Sequence, residues 1–445
     1  MEDKFKVIAD PAKSFFVSML IKDITLRDAI GDLVDNAVDA IKKDASDKDD
    51  LSQYRIDIVI NKEEFSISDN GSGLDVETAR TYAFNFGHAK EHKLMPNSIG
   101  QFGIGMKRAF FKIGSEIEVH SVTKNSAFDI DINVDEWIKE EREWSFRFRE
   151  ESLAENTPQE GSTGLKIIIK NLSQDARSNF DQGKFREGLI KEITLEQLIN
   201  IEKGLKIVIN GQTLNKTDIG LISNDTLKPS IYEEDRGDLK IKIMAGISTA
   251  DEDAGGWYIF CNDRLILAKD KSANTVWTGR GGDGAALWHS QYHRFRGYAF
   301  LEAEESSKLP WNTTKTGMDM DSPDYQKIRS IMINMTKEVM QLMNNLKEEK
   351  EKGNAEENQT LNNEVNRATL EDIVSVASLR AVSVEKNRKF LFPKNLFNKV
   401  KDSENTTVSY RVPTVKFREV KTLIGVRSAA EVGRATFDYF VENEL

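Results

Sequence analysis

Apolar residues in the first third of the chain recur with two alternating periods. From Ile24 to Ile41 they fall at Leu26, Ile30, Leu33, Val34, Val38 and Ile41, close to the 3.6-residue repeat of an amphipathic helix. Residues 54–60 (YRIDIVI) and 64–68 (EFSIS) flank the polar turn Asn61-Lys62 and predict two strands. Residues 116–122 and 165–169 are further β-rich runs, so the stretch from 15 to about 170 reads as a sheet backed by helices. A second block runs from about 192 to 346. It opens with residues 205–209 and the hairpin signal Asn210-Gly211, then shows strand-like runs at 239–244, 257–261 and 298–301. It closes with a helix from about Ser322 carrying Ile328, Met332, Met335, Val339, Met343 and Leu346 on one side. That methionine-rich stripe reads as core. Residues 347–366 are polar, lack aromatics and read as a frayed helix end and linker. Ser428 and Glu431 have the spacing of a capping box that opens a last helix.

Length changes this picture little: 445 residues at roughly 150 per domain predict about three domains. Composition excludes more. Lys+Arg 62 against Asp+Glu 73 gives a net charge of -11, which argues against a surface coated in nucleic-acid-binding charge. The one cysteine, Cys261, rules out an internal disulfide framework and a cysteine zinc cluster, and suits a reducing, cytoplasmic setting. No apolar run approaches the roughly 18 residues of a membrane span, and the acidic start MEDKFKV does not read as a signal peptide.

Three separated motifs carry chemistry. On the first amphipathic helix, Asp32 and Asn36 are four residues apart and share a face, as do Asp35 and Asp39 on a rotated one. After a strand comes Ser68-Asp69-Asn70-Gly71-Ser72-Gly73, a carboxylate followed by glycines that let backbone approach a flat ring. The third, Asn97 to Phe110, places glycines at 100, 103 and 105 ahead of a helix, so that free backbone N–H groups can bind phosphate. It is neither a dinucleotide fingerprint nor a Walker A loop.

In order and spacing these motifs resemble the GHKL ATPases (gyrase, heat-shock chaperone, histidine kinase, MutL) over about residues 15–345. The resemblance implies an α+β chain: a Bergerat-fold helix/sheet sandwich at 1–185 and an α/β transducer domain at 186–346. A polar linker at 347–367 and a basic, mainly helical C-terminal domain at 368–445 would follow. It implies ATP and Mg²⁺ as ligands, with Asn36 holding the metal and Asp69 accepting the adenine amine. Gly71 and Gly73 would pass the base, and Thr163 would support the adenine-binding water. Lys90, Gly100, Gln101, Phe102, Gly103, Ile104, Gly105 and Lys107 would form the lid and phosphate cradle. The family's general base is usually a glutamate four residues before the asparagine. Here it is Asp32, shorter by one methylene or roughly 1.5 Å. Weak but real hydrolysis is the expectation. The lid stretch 99–107 (IGQFGIGMK) and Asn262-Asp263-Arg264-Leu265-Ile266 resemble the microrchidia branch, and Lys315 stands where a phosphate-sensing lysine is expected, with Lys308 its competitor. Ala89 occupies a place where that branch commonly has serine.

The resemblance also implies an ATP-gated homodimeric clamp, MutL-like, in bacterial genome maintenance or anti-phage defence. Rival expectations are a heat-shock-type chaperone and an ATP-binding switch with negligible hydrolysis. Between 379 and 434 there are thirteen basic against five acidic side chains, net +8, so the rest of the chain carries -19 and the two sum to -11. Aromatics interleave with these cations, a mixture that can bind DNA or dock a partner, including one encoded in the same operon. His289 and His293 have the i, i+4 spacing of a metal pair but no acidic companion, and read as structural. Residues 279–284 (GRGGDG) read as a flexible loop.

Overall fold

The computed structural model describes residues 12–86, 99, 103–141, 143–159, 161–217, 219–279, 284–312, 314–352, 359–381, 387–396, 408, 411–426 and 428–444. The chain divides into two compact units, Met1–Phe397 and Asn398–Leu445.

In the first unit, period-two runs become strands with one buried face. The pattern is plainest in β1 (Arg55–Ile60), where Ile56, Ile58 and Ile60 are buried while Arg55 and Val59 face solvent. With β2 (Phe65–Asp69), β3 (Gly114–Val122), β4 (Ala127–Asn133), β5 (Gly164–Leu172), β6 (Lys206–Ile209) and β7 (Gln212–Thr213) it forms a seven-stranded sheet ordered β4-β3-β5-β2-β1-β6-β7. Only β1 and β6 run parallel; the other neighbours are antiparallel. The β6–β7 turn is the expected Asn210-Gly211, with both residues at positive φ. Helices Leu26–Asp44 and Gly105–Ile113 pack on each other and on this sheet. The first begins where a capping box allows: Asp28 N–H donates to Thr25 Oγ1 at 3.1 Å and Thr25 N–H to Asp28 Oδ2 at 2.8 Å. All six apolar positions of its predicted stripe are buried.

The second sheet follows β8 (Gly220–Ile222). It comprises β9 (Ser230–Asp235), β10 (Lys240–Ile247), β11 (Gly256–Cys261), β12 (Arg264–Asp270) and β13 (Phe295–Glu302), ordered β12-β11-β13-β10-β9 with β11 and β13 parallel. β14 (Ile373–Ser375) pairs with β8. Every residue of β11 is buried, because both faces are covered. On one face lies the helix Pro323–Lys352, whose Met332, Met335, Met340 and Met343 are core residues, and whose Thr336 Oγ1 accepts from Trp257 Nε1 at 3.2 Å. On the other, Phe260 and Phe300 stack at 4.8 Å within a cluster closed by Leu198, Val376 and Leu379.

The polar stretch 347–367 holds more order than its composition suggests. The long helix runs on to Lys352, and a second helix spans Thr360–Glu371 with Leu361, Val365 and Ala368 buried. The reason is Glu349, 2 % exposed, whose carboxylate accepts from the N–H groups of Leu361 (3.0 Å) and Asn362 (2.8 Å). An anion at a helix N-terminus satisfies donors that the helix cannot. Glu349→Ala is expected to cost about 1–3 kcal/mol, the penalty of leaving buried donors unpaired, and thermal melting will read it.

The basic segment starts inside the first unit. Arg380 pairs with Asp263 at 2.6 Å and with Glu302, and Arg388 Nε donates to Pro229 O at 3.0 Å. In the second unit, helices Thr414–Ile424 and Ala429–Glu444 are joined through Gly425 at φ 72°, a left-handed C-cap. The capping box of Ser428 and Glu431 is formed in both directions. His289 sits on extended backbone ahead of a short 3₁₀ turn, so the two histidines share no helix face. Among the described residues no group of three metal-ligating side chains forms, and no helix is long and apolar enough to cross a membrane.

Candidate functional site

Helix periodicity decides what the Leu26–Asp44 helix presents. Asp32 and Asp35 both point into the protein, and Asn36 is half-buried. Asp32, 4 % exposed, accepts from Arg108 Nε at 2.6 Å and from Lys315 Nζ at 3.3 Å. Asp35, fully buried, accepts from Lys315 Nζ at 2.9 Å, Arg264 Nε at 2.9 Å and Gln197 Nε2 at 2.8 Å. Burial acts to raise the Asp35 carboxyl, but Arg264 and Lys315 beside it prevail and hold it below the usual carboxylate range. One turn on, Asp39 accepts from the N–H of Ile99 at 2.9 Å. The Asn36 amide meets no hydrogen-bond partner among the described residues, which leaves its oxygen free for a cation.

The second patch adjoins the same helix. Asp69 ends β2 and accepts from the N–H of Gly71 at 2.8 Å; Thr163 Oγ1 donates to Gly71 O at 2.7 Å. The glycines are dictated by backbone contact. A Cβ on Gly71 would stand 2.9 Å from the backbone of Ala40 and Ile41. On Gly73, at φ +67°, it would meet Val122 O at 2.2 Å. Burial pushes the Asp69 carboxyl up to about 6, against hydrogen bonds from the N–H groups of Gly71 and Leu165. A cleft of about 350 Å³ opens beside this patch, lined in part by Lys43, Ser72, Gly73, Lys124 and Thr163.

At the third motif, Gly103 adopts φ 61° and Ile104 is the N-cap of helix Gly105–Ile113, with no side-chain cap to its first N–H groups among the described residues. Gly105 brings that terminus against the first patch: a Cβ there would lie 3.2 Å from Asp32 Cγ. Lys107 is buried and turned elsewhere. Its ammonium donates to Ala83 O at 2.8 Å and to Gly103 O, and burial lowers its pKa to about 8. Lys90, Gly100, Gln101 and Phe102 lie outside the described residues, as does Ala89.

Lys315 arrives from 283 residues away in sequence to Asp32. Its loop is stiff: Lys315 N–H donates to Asn312 O at 3.0 Å, and Asn312 Oδ1 accepts from Thr316 N–H at 3.0 Å. Lys315 holds φ 57°, a left-handed conformation that costs a non-glycine residue about 1 kcal/mol or more and persists only where its surroundings impose it. Lys308 is half-exposed and lies 3.7 Å from Asp238. Three further participants take no role at the site from the sequence: Arg108 and Arg264, which lie inside motifs, and Glu196, which lies in none and whose Oε1 is 3.0 Å from Arg264 Nη2. Burial raises Glu196 to about 7. For Arg264 a signal existed in the stretch Asn262-Asp263-Arg264-Leu265-Ile266, which the structure folds as a tight hairpin with Asn262 and Asp263 both at positive φ. For Glu196 there was none.

The residues fit a magnesium–adenine nucleotide. An uncommitted amide oxygen suits a hard cation that keeps most of its waters. A buried carboxylate flanked by glycines suits an exocyclic amine, and an uncapped helix N-terminus suits phosphate. Ionised Asp69 would be the stronger acceptor for an exocyclic amine, because protonation leaves only a neutral carbonyl oxygen to accept there. Its pKa is raised, so the folded protein takes up this proton below about pH 6, before the unfolded chain does near 3.8. Acidification from 6 to 4 therefore favours the folded apo protein through this group while opposing the nucleotide. Adenine-nucleotide affinity is expected to be flat from pH 7 to 8 and to weaken below about 6, measured by binding titration.

Residues 24–161 match the family of histidine kinase-, DNA gyrase B- and HSP90-like ATPases. The match takes in the Asp32–Asn36 helix, the Asp69–Gly73 turn and the Gly103–Gly105 cap, and supports a GHKL-type, ATP-binding domain over that segment. Among curated proteins, none matches the chain.

Proposed function

We propose that the chain is a Mg²⁺-dependent ATPase that works as an ATP-gated dimeric clamp of the microrchidia/MutL type, engaging DNA or a partner effector. The observation that carries the hydrolytic part is the convergence of Lys315 with Asp32 beneath the N-terminus of helix Gly105–Ile113. A base, a cation and free N–H groups at one point are what γ-phosphoryl transfer to water requires.

Asp69 and Thr163 hold the base, and Gly71 and Gly73 let backbone lie against it. Asn36 would hold magnesium, which would neutralise phosphate charge. Asp32 orients a water and takes its proton. Arg108 fixes the far oxygen of Asp32, and Lys315 offsets charge developing on the phosphate. In the clamp reading, Lys315 also links nucleotide state to the second sheet, since its loop precedes the helix Pro323–Lys352. The exposed cations of the second unit, Lys416 and Arg418 among them, supply phosphate contacts to DNA.

One observation favours a second reading. Both oxygens of Asp32 are engaged by cations, Oδ2 by Arg108 and Oδ1 by Lys315, which leaves less of the carboxylate open to a water, as in a switch that binds ATP without turnover. Oligomeric state and phosphate release, measured with ATP, with a non-hydrolysable analogue, and with or without DNA, separate the two. Turnover with ATP-dependent dimers supports the clamp; dimers without turnover support the switch; monomers throughout defeat the clamp.

A further inference from the structure

Asp35 takes no part in the chemistry above, yet it is the most enclosed carboxylate of the site. Its Oδ1 accepts from Arg264 at 2.9 Å and Gln197 at 2.8 Å, and its Oδ2 from Lys315 at 2.9 Å. Lys315 reaches Asp32 over a longer 3.3 Å, so Asp35 is the nearer of its two anions. Four elements meet on this one side chain: the helix Leu26–Asp44, the Lys315 loop, β12 and, through Gln197, the junction of helices Gly183–Glu196 and Leu198–Glu202. Glu196, the second anion on Arg264, packs closely over a glycine. A Cβ on Gly31 would stand 3.3 Å from Glu196 Oε2 and 3.6 Å from Arg264 Nη2.

Holding a helix against a sheet needs no such arrangement. Apolar side chains of similar volume make that contact without desolvating ions, and are often more stable. What the buried charges add is position. Arg108 and Arg264 each serve one carboxylate from outside, and Lys315 sits between the two. Without the charge on Asp35, the ammonium has Asp32 as its remaining anion and moves onto it, covering the oxygen that must face water.

We infer that Asp35 is the positioning residue of Lys315: anchored by Arg264 and Gln197, it seats the ammonium beside Asp32 and ties that seat to β12. The inference rests on the ATPase reading of Asp32 and Lys315. Asp69 and Thr163 lie on the other patch, so the base-binding contacts do not depend on Asp35.

The test uses the full chain with Asp35→Asn, Lys315→Ala and the double variant. It compares kcat with MgATP and Kd for a non-hydrolysable ATP analogue. Asp35→Asn is expected to lower kcat at least about tenfold with Kd changed less than about threefold, and the double variant to be no slower than Lys315→Ala, because residues acting as one unit are not additive. A merely structural role would move kcat and Kd together. An Asp35→Asn kcat within about twofold of wild type, a matching loss of nucleotide affinity, or losses that multiply in the double variant would each overturn the inference. If Asp35→Asn does not fold, Gln197→Leu keeps every charge and removes one anchor. It is then expected to lower kcat about threefold at unchanged Kd, and an unchanged kcat overturns the role. A wild type that binds nucleotide without releasing phosphate removes the ATPase reading and this inference with it. An active wild type indifferent to Asp35→Asn removes only the inference.

Discussion

Asp32→Asn is expected to lower ATP turnover by about 10²- to 10⁴-fold, the usual contribution of general-base catalysis, or about 3–5 kcal/mol of barrier. Asparagine keeps the shape and one acceptor oxygen but cannot take a proton. Asp32 is placed for the role by two neighbours: Arg108 holds its Oδ2 at 2.6 Å, and helix Gly105–Ile113 starts directly above it. The shorter side chain is met by a glycine at 105, where a Cβ would stand only 3.2 Å from the carboxyl carbon. Nucleotide affinity is the control, because Asp69 and Thr163 belong to the other patch. A variant that binds the analogue normally and hydrolyses as fast as wild type removes Asp32 from the base role.

Lys315→Ala comes second, with an expected loss of about 10²–10³ in kcat, the effect of deleting one donor aimed at developing charge. The ammonium is fully charged where it sits. Burial acts to lower its pKa, but Asp35 and Asp32 prevail and raise it above the ordinary lysine value. Its loop carries backbone strain that a mere surface lysine would relax. Lys308→Ala is the comparison, since that side chain is half-exposed beside Asp238 and is expected to leave kcat within about twofold. Equal effects of the two substitutions would sink the assignment to Lys315. Both measurements need only steady-state phosphate release.

Much of the fold could be read from periodicity, where one face of an element is buried and the other is not. The helix of Leu26, Ile30, Val38 and Ile41, strands β1 and β2, and the Asn210-Gly211 turn each follow from a local rule. Composition hid the helix Thr360–Glu371, because three buried apolar residues in a polar stretch carry little signal and the anion that starts it, Glu349, sits in the preceding helix. Net charge misled in the same way: Arg380, counted in a basic segment, is committed to Asp263 and Glu302.

Within the site, residues inside one motif could be read directly, Lys315 and Thr163 only through the family resemblance, and the partner each side chain meets not at all. Asp69, Gly71 and Gly73 form a continuous motif whose backbone demands are visible residue by residue. Asp35 was visible only as one of a carboxylate pair with Asp39. The structure separates them, sending Asp35 to Lys315 and Arg264 and Asp39 to the N–H of Ile99. Lys107, grouped by spacing with the phosphate cradle, places its ammonium on the carbonyls of Ala83 and Gly103. Side-chain direction at a helix start depends on which carbonyls lie within reach, and spacing does not report that.

The central claim, a magnesium-dependent hydrolase built on Asp32 and Lys315, is tested most directly by phosphate release from ATP by the wild-type chain, with Mg²⁺ and with chelator, beside Asp32→Asn. The account predicts slow release that needs Mg²⁺ and is lost in the variant while both proteins bind nucleotide. Tight binding with no release from the wild type, or equal release from both, would contradict it.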